Sequence, residues 1–294
     1  MSTFNEILRS AVNNVQNQNK EFDKEQYAKD KQEKREWAFK TQDEMAEKIT
    51  QDTELLKTYL EVQSVFDSKS VGNALLITAQ NPKATQLRDA RGWIESKIHI
   101  KRHPDKVTIL EPREYTKEDG TPATSYDTID LIDISQTQSK GRINTVPYTH
   151  ESILKGILTI APVEIQTTEY GTSNGKVVNF NADKRIIEVN DTADTKDIIK
   201  GLINEVASIH MATFENTELN EFKNSCTTYL TCKKYGIPTQ NIEFSIPQEL
   251  KEMSPQDIKA ELGKAVECFQ VIKDGIDRTM DIQPRNRSNR EYER

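Results

Sequence analysis

The sequence has few of the residues that build disulfide frameworks, nucleotide-binding loops or catalytic triads. Its 294 residues include three cysteines, four histidines and 11 glycines. The cysteines (Cys226, Cys232 and Cys268) are an odd number without paired spacing, which indicates free thiols in a reducing compartment and excludes a disulfide scaffold. The glycines are scattered, so the sequence contains no phosphate-binding glycine loop, and no Gly-x-Ser-x-Gly elbow indicates a serine hydrolase.

Long hydrophobic runs are also missing. No apolar stretch approaches the roughly 20 residues that a bilayer-spanning helix requires. The first ten residues, MSTFNEILRS, lack the charged start and apolar centre of a signal peptide. We therefore expect a cytoplasmic protein without a membrane partner. Hydrophobic residues make up 35% of the chain and charged residues 30%, which is sufficient for folding, and the length favours two domains.

Positive charge is in the minority overall but is concentrated in one segment. The chain has 40 basic and 47 acidic residues and a net charge of -7, which excludes a protein coated in positive charge. Nucleic acid responds to local patches, however. Residues 83–106 contain seven basic and three acidic residues, a local charge of +4. His99 and His103 lie in the same segment and add charge below about pH 7.

The order of patterns along the chain predicts an α+β protein with two domains. Ser70 is a suitable N-cap for a helix that ends at Asn81-Pro82, and Asp119-Gly120 predicts a hairpin turn between two strands. The predicted segments are a charged helical extension (1–50), a first domain (51–140), a linker (141–149), a second domain (150–280) and a flexible tail (281–294).

Trp93 lies among the cations of residues 83–106, and this combination is typical of a surface that contacts nucleic acid. Lys and Arg side chains neutralise backbone phosphates, and an exposed aromatic ring stacks on an unpaired base. Because stacking requires a free base face, the combination favours single-stranded over duplex nucleic acid. The alternative, an ordinary solvated face with Trp93 in the core, stays open on these residues alone.

The run SVGNALLITAQNPKATQLRDARGW and the later DISQT resemble the N-terminal domain of ArdC-type antirestriction proteins, over about residues 55–140. The resemblance implies single-stranded DNA as a partner, with duplex DNA as a second. It also implies a mobile-element role in antirestriction or conjugation, between which the sequence does not choose. Asn73 has a second interpretation, since a polar side chain near a helix cap often satisfies backbone groups. The residues predicted to bind nucleic acid are Asn73, Lys83, Arg88, Arg91, Trp93, Lys97, Lys101 and Arg102.

The second domain resembles the zincin-like metallopeptidase domain of the same family, with its metal ligands replaced. In that family a helix carries His-Glu-x-x-His, and a later helix supplies a glutamate ligand. Here Asn204 and Ser208 stand at the two histidine positions, and Ser225 stands at the glutamate position. Glu205 keeps the position of the general base. Amide and hydroxyl oxygens hold Zn²⁺ poorly, so we expect a pseudoenzyme domain with no catalytic residue, no metal and no cofactor.

Two alternatives to an inactive, DNA-binding protein remain at this point. The first is an active metallopeptidase whose metal site has been rebuilt from Glu205, His210 and a cysteine. The second is a protein-interaction scaffold that does not bind DNA and contacts a protein partner through its C-terminal domain. Both alternatives make the metal content and the oligonucleotide affinity of the protein the decisive measurements.

Overall fold

The computed structural model describes residues 24–139, 148–211 and 217–279. Three helices come first: α1 (Lys24–Ile49), α2 (Thr53–Val65) and α3 (Val71–Gln80). Asp52 caps α2, because its side chain accepts hydrogen bonds from the first backbone amides of that helix. Ser70 caps α3 in the same way, and α3 ends before Asn81. Both ends of α3 are therefore as predicted from the sequence.

A three-stranded antiparallel sheet follows the helices, with the strand order β1-β3-β2. Its elements are β1 (Leu87–Arg88), β2 (Lys106–Thr116) and β3 (Pro122–Asp133), with the short helix α4 (Ala90–Glu95) between β1 and β2. Strands β2 and β3 form a long hairpin whose register runs from Lys106 opposite Ile132 to Thr116 opposite Pro122. Gly120 takes a φ of +83° in the turn, which confirms the predicted hairpin.

A second three-stranded sheet and five helices complete the described chain. The strands, in the order β4-β6-β5, are β4 (Glu164–Thr168), β5 (Val178–Asn181) and β6 (Ile186–Asn190). The helices are α5 (His150–Ile160), α6 (Thr195–His210), α7 (Glu218–Lys234), α8 (Gln248–Glu252) and α9 (Pro255–Thr279). Strand β6 pairs with β4 in parallel and with β5 antiparallel. The predicted α+β class is confirmed.

The main hydrophobic core contains residues from both predicted domains. Met45, Ala46 and Ile49 of α1 are buried in the same cluster as residues of α6, α7 and α9. Helix α1 is thus part of the core at its C-terminal end, and the prediction of a charged extension over residues 1–50 is wrong there. The physical reason is that Met45, Ala46 and Ile49 share one face of the helix, which packs against α3 and α9.

Helices α2 and α3 are covered on two sides. Leu60 and Leu75 belong to the main core, whereas Val62 and Ile77, two residues further along each helix, pack against the first sheet. The second cluster is completed by the strand residues Val107, Ile109 and Leu131. Because a helix that is apolar on most sides must be buried, these two helices form a layer between the first sheet and the C-terminal helices.

Some predictions fall where the structure gives no description. The predicted tail (281–294), most of the linker (140–147) and residues 1–23 lie outside the described residues. Thr149, the last linker residue, caps α5 through a capping box with Ser152. Among the described residues, no helix combines the length and the apolar character needed to cross a bilayer.

Candidate nucleic-acid interface and degenerate metal site

The basic segment, residues 83–106, runs from the end of α3 through β1 and α4 to the start of β2. Most of its cationic side chains are exposed, and only Arg88 of the predicted cations is partly covered. Two of its acidic residues have structural partners: Asp89 caps α4 through a hydrogen bond to the Gly92 amide, and Glu95 pairs with Arg91 at 2.7 Å. The exposed cations are Lys83, Arg91, Lys97, Lys101, Arg102 and Lys106, together with His99 and His103.

Hydrogen bonds to the end of β3 hold the basic segment in place. The buried carboxylate of Asp133 accepts hydrogen bonds from the backbone amides of Thr85 and Gln86, at 2.8 and 3.0 Å. Further along, the Lys101 amide donates to the Gln136 carbonyl, and the His99 carbonyl accepts from the amide of Gln138. Because both ends are anchored, the cations are presented on a fixed backbone.

Two residues of this segment have a left-handed backbone. Lys97 and His103 have φ values of 58° and 56°, a region that non-glycine residues seldom occupy. Lys97 follows the end of α4, where its amide donates to the Ile94 carbonyl. Such conformations cost of order 1–3 kcal/mol and persist only where the surrounding structure imposes them. The surrounding structure therefore holds this loop in one defined conformation.

Trp93 is completely buried, at 0% exposure. Its indole N–H donates to the Ile132 carbonyl at 2.8 Å, and the Arg88 guanidinium lies 5.3 Å from the ring centroid. Arg88 also donates to the hydroxyl of Ser96. The prediction that Trp93 offers a stacking face to a base is wrong, because both faces of the ring lie inside the protein. Trp93 anchors α4 to the first sheet instead.

Asn73 is also a structural residue. It is 8% exposed, and its side-chain amide donates to the Leu110 carbonyl at 2.7 Å and accepts from the Leu110 amide at 2.9 Å. Gln80 forms the same pair of bonds with the backbone of Thr108. The prediction that Asn73 contacts DNA is therefore wrong, because both hydrogen-bonding atoms of its side chain are used by the free edge of β2.

The positions predicted to be replaced metal ligands lie at the seam between α6 and α7. The Asn204 side-chain oxygen accepts from the Asn224 amide at 3.1 Å and from the Thr228 hydroxyl at 3.4 Å. Asn224 and Thr228 are one turn apart and share a face of α7, whereas Ser225 is rotated from Asn224 by about 100°. Asn224 therefore lies on the face of α7 that meets Asn204, whereas Ser225, the predicted third ligand position, does not. Neither Asn224 nor Thr228 carries a signal in the sequence that would have identified it.

Glu205 is largely buried beside this seam. Burial raises the pKa of its carboxyl group, an effect opposed by the charge of Lys176 and by hydrogen bonds from the Phe180 backbone and the Asn204 side chain. Among the described residues, the Asn224 side-chain oxygen is the one buried side-chain acceptor without a hydrogen-bond partner. The seam is therefore a network of amide, hydroxyl and carboxyl groups in which one buried acceptor lacks a hydrogen-bond partner.

Comparison with known proteins adds two structures. Neither a family model nor a curated protein matches the sequence. The Mn(II)-bound crystal structure of the antirestriction protein ArdC from plasmid R388 has a TM-score of 0.49 at 9% identity, covering 72% of this chain and 85% of that chain. The metal-free crystal structure of the same protein has a TM-score of 0.47 at 10% identity, with coverages of 72% and 86%. This chain is similar to ArdC. Both structures are of ArdC, and the sequence resembles ArdC-type proteins.

The residues of the seam do not fit a divalent transition metal. Asn204, Ser208 and Ser225 offer one amide and two hydroxyls, and the set with Asn224 in place of Ser225 offers two amides and one hydroxyl. All of these are neutral donors, and the Asn204 oxygen already accepts a hydrogen bond from α7. Across residues 24–139, 148–211 and 217–279, no three His, Cys, Asp or Glu side chains are grouped so as to hold a metal ion. Zn²⁺ requires imidazole, thiolate or carboxylate ligands.

Within the described part of the chain, Glu205, His210 and a cysteine are not grouped so as to hold a metal ion either. His210 is engaged elsewhere, because its Nε2 atom lies 3.0 Å from the Ile160 carbonyl oxygen. Cys226 and Cys232 are both 0% exposed. Burial raises the pKa of the Cys226 thiol strongly and that of Cys232 to about 12. Thiols of this kind remain protonated and are poor metal ligands.

Proposed function

We propose that this chain is a DNA-binding accessory protein of a mobile element, with a preference for single strands and a role in antirestriction or conjugation. The observation that carries the proposal is the basic segment, residues 83–106, whose exposed cations stand on a fixed backbone in a chain of net charge -7. A positively charged segment in an otherwise acidic chain favours a polyanion as the partner. The preference for single strands and the biological setting come from the ArdC-like sequence, and Trp93 no longer supports them.

An oligonucleotide titration at two salt concentrations tests the proposal. Each neutralised phosphate releases counterions, and for single strands log K falls with log[salt] at about 0.7 per phosphate contact. Five such contacts predict a loss of affinity of about 100-fold between roughly 50 and 200 mM salt. A duplex of the same sequence is the comparison for strand preference. An affinity that does not change with salt would contradict a phosphate-binding surface and favour the scaffold alternative.

Two substitutions locate the contact on the basic segment. Lys83 and Arg102 are exposed, and their side chains form no hydrogen bond or ion pair with another residue that the structure describes, so Lys83→Ala/Arg102→Ala should leave the fold intact. We expect weaker DNA binding and a salt slope smaller by about 1.4, for two lost phosphate contacts. The control is Lys196→Ala/Lys251→Ala, which changes the net charge equally on exposed residues of the C-terminal half. Equal effects of both pairs would mean that only net charge matters.

We further propose that the C-terminal half is a pseudo-metallopeptidase. The support is the seam itself, in which the Asn204 side-chain oxygen accepts hydrogen bonds from the Asn224 amide and the Thr228 hydroxyl. Purified protein should contain less than stoichiometric zinc or manganese, and a chelator should leave its melting temperature unchanged. Stoichiometric metal that stabilises the protein would overturn this part of the proposal without affecting the DNA-binding part.

A further inference from the structure

Two aromatic rings are exposed side by side where α1 crosses the hairpin. Phe39 of α1 is 37% exposed and Tyr126 of β3 is 39% exposed. Their ring centroids are 5.6 Å apart and the ring planes meet at 88°. An edge-to-face pair in which both rings keep more than a third of their surface in solvent leaves a ring face available to another planar group.

Several cations lie on the helix and the strands that carry this pair. Lys31 of α1 and Arg113 of β2 both reach Asp127, at 3.0 and 3.7 Å. Lys34 and Lys106 share Asp130 in the same way. Arg35 lies next to the pair and donates to the Tyr126 carbonyl. These five cations outnumber Asp127, Asp130 and Glu111, which lies opposite Asp127, by two charges. The side chains of Lys31, Lys34, Lys106 and Arg113 are between 38% and 72% exposed.

This aromatic–cation surface (Lys31, Lys34, Arg35, Phe39, Lys106, Arg113 and Tyr126) continues the basic segment. Lys106 is the last residue of that segment and the first residue of β2, and through Asp130 it meets Lys34 of α1. Tyr126 lies opposite Pro112, six residues further along β2. At the rise of an antiparallel strand the two points are about 20 Å apart. One positively charged strip thus leads from the basic segment to the exposed rings.

We propose that Phe39 and Tyr126 are the base-stacking platform for a single strand of DNA whose phosphates lie along the flanking cations. The inference rests on the proposed DNA-binding function and supplies the aromatic contact that Trp93 cannot make. The kind of ligand follows from the positive charge and the aromatic rings together. A strip of positive charge selects a polyanion, and aromatic faces within it select one whose bases are unstacked, which excludes an intact duplex.

The test is the affinity of the full chain for a thymidine oligonucleotide and for an abasic strand of equal length, which keeps the phosphates and lacks the bases. The wild-type protein should bind the base-containing strand more tightly. Phe39→Ala/Tyr126→Ala should weaken that binding about tenfold or more, because one stacked base contributes roughly 1–3 kcal/mol, and should leave abasic binding unchanged. Phe39→Leu/Tyr126→Leu keeps apolar side chains at the contact between α1 and β3 and should show the same loss of affinity for the base-containing strand.

Tyr170→Ala is the matched control, because Tyr170 is 99% exposed and lies in the C-terminal half. Wild-type protein that binds neither strand would overturn both the inference and the proposed function. Wild-type protein that binds with the expected salt dependence, together with two double variants that match it on both strands, would overturn the inference alone. Variants that change the oligomeric state in size-exclusion chromatography, but not the affinity for DNA, would assign the rings to a protein contact and also overturn it.

Discussion

Asn73 and Gln80 take the place of a neighbouring strand at the free edge of β2. Each side-chain amide carries one donor and one acceptor, as a backbone peptide does, and each bonds both backbone groups of one strand residue. The two amides are two turns apart on α3, and their partners, Leu110 and Thr108, point to the same edge of β2. An open edge invites pairing with other chains, so these amides both fix α3 on the sheet and close its edge.

Asn73→Ala should therefore destabilise the protein. The substitution leaves the Leu110 amide and carbonyl buried without partners, and each such group costs about 1–3 kcal/mol. We expect a loss of about 2–4 kcal/mol in the free energy of unfolding, measured by urea denaturation. The control is Gln138→Ala, an exposed amide beyond the end of β3. A loss below about 0.5 kcal/mol would show that water replaces the side chain and that Asn73 is available for another role.

Glu205 gives a stability prediction with a defined sign. Burial raises the pKa of its carboxyl group in the folded protein, so the protonated form is favoured by folding. Its contribution is fully present below the unfolded pKa of about 4.3 and is lost as pH rises through the higher folded pKa. Glu205→Gln cannot ionise. The melting temperature of this variant relative to wild type should therefore rise between about pH 4 and pH 7, and a constant difference would contradict the assignment.

At the scale of helices and strands, local signals were sufficient where the cause of the structure is local. Ser70 and Asp119-Gly120 act within a few residues of themselves, so the start of α3 and the hairpin turn could be predicted. Trp93 could not be placed, because its burial depends on Ile132, 39 residues away. Phe39 and Tyr126 were missed for the same reason, since only the packing of α1 on β3 brings the two rings together.

The α6–α7 seam provides a test at the same scale. Asn204→His/Ser208→His places two imidazoles one turn apart on α6, and a third ligand must come from the face of α7 that meets Asn204. That face carries Asn224, so adding Asn224→Glu should create tight Co²⁺ binding, seen in the visible absorption of tetrahedral cobalt. Adding Ser225→Glu instead should not. The reverse result would restore the sequence-based assignment of Ser225.

At the scale of the whole molecule, the described elements are joined more closely than two independent domains would be. Leu60 and Leu75 belong to the core shared with the C-terminal helices. Ion pairs reinforce the junction, with Lys234 of α7 at 2.6 Å from Asp67 and Lys259 of α9 at 2.6 Å from Asp43. The sequence suggested two domains because its composition changes near residue 140, but composition does not show which helix faces meet. We therefore expect the two halves to unfold together.

Phe269→Ala tests this coupling. Phe269 is fully buried in α9 and lies in the main core, and truncating a buried phenylalanine to alanine costs about 3–5 kcal/mol. If the halves form one cooperative unit, hydrogen exchange of the slowest amides in β2 and β3 should accelerate as much as in α6 and α7, although the first sheet packs in a separate cluster. Val271→Ala, at 46% exposure on the same helix, should change neither. Acceleration confined to the C-terminal helices would mean that the sheet bearing the basic segment folds by itself, and DNA binding would then survive removal of the second half.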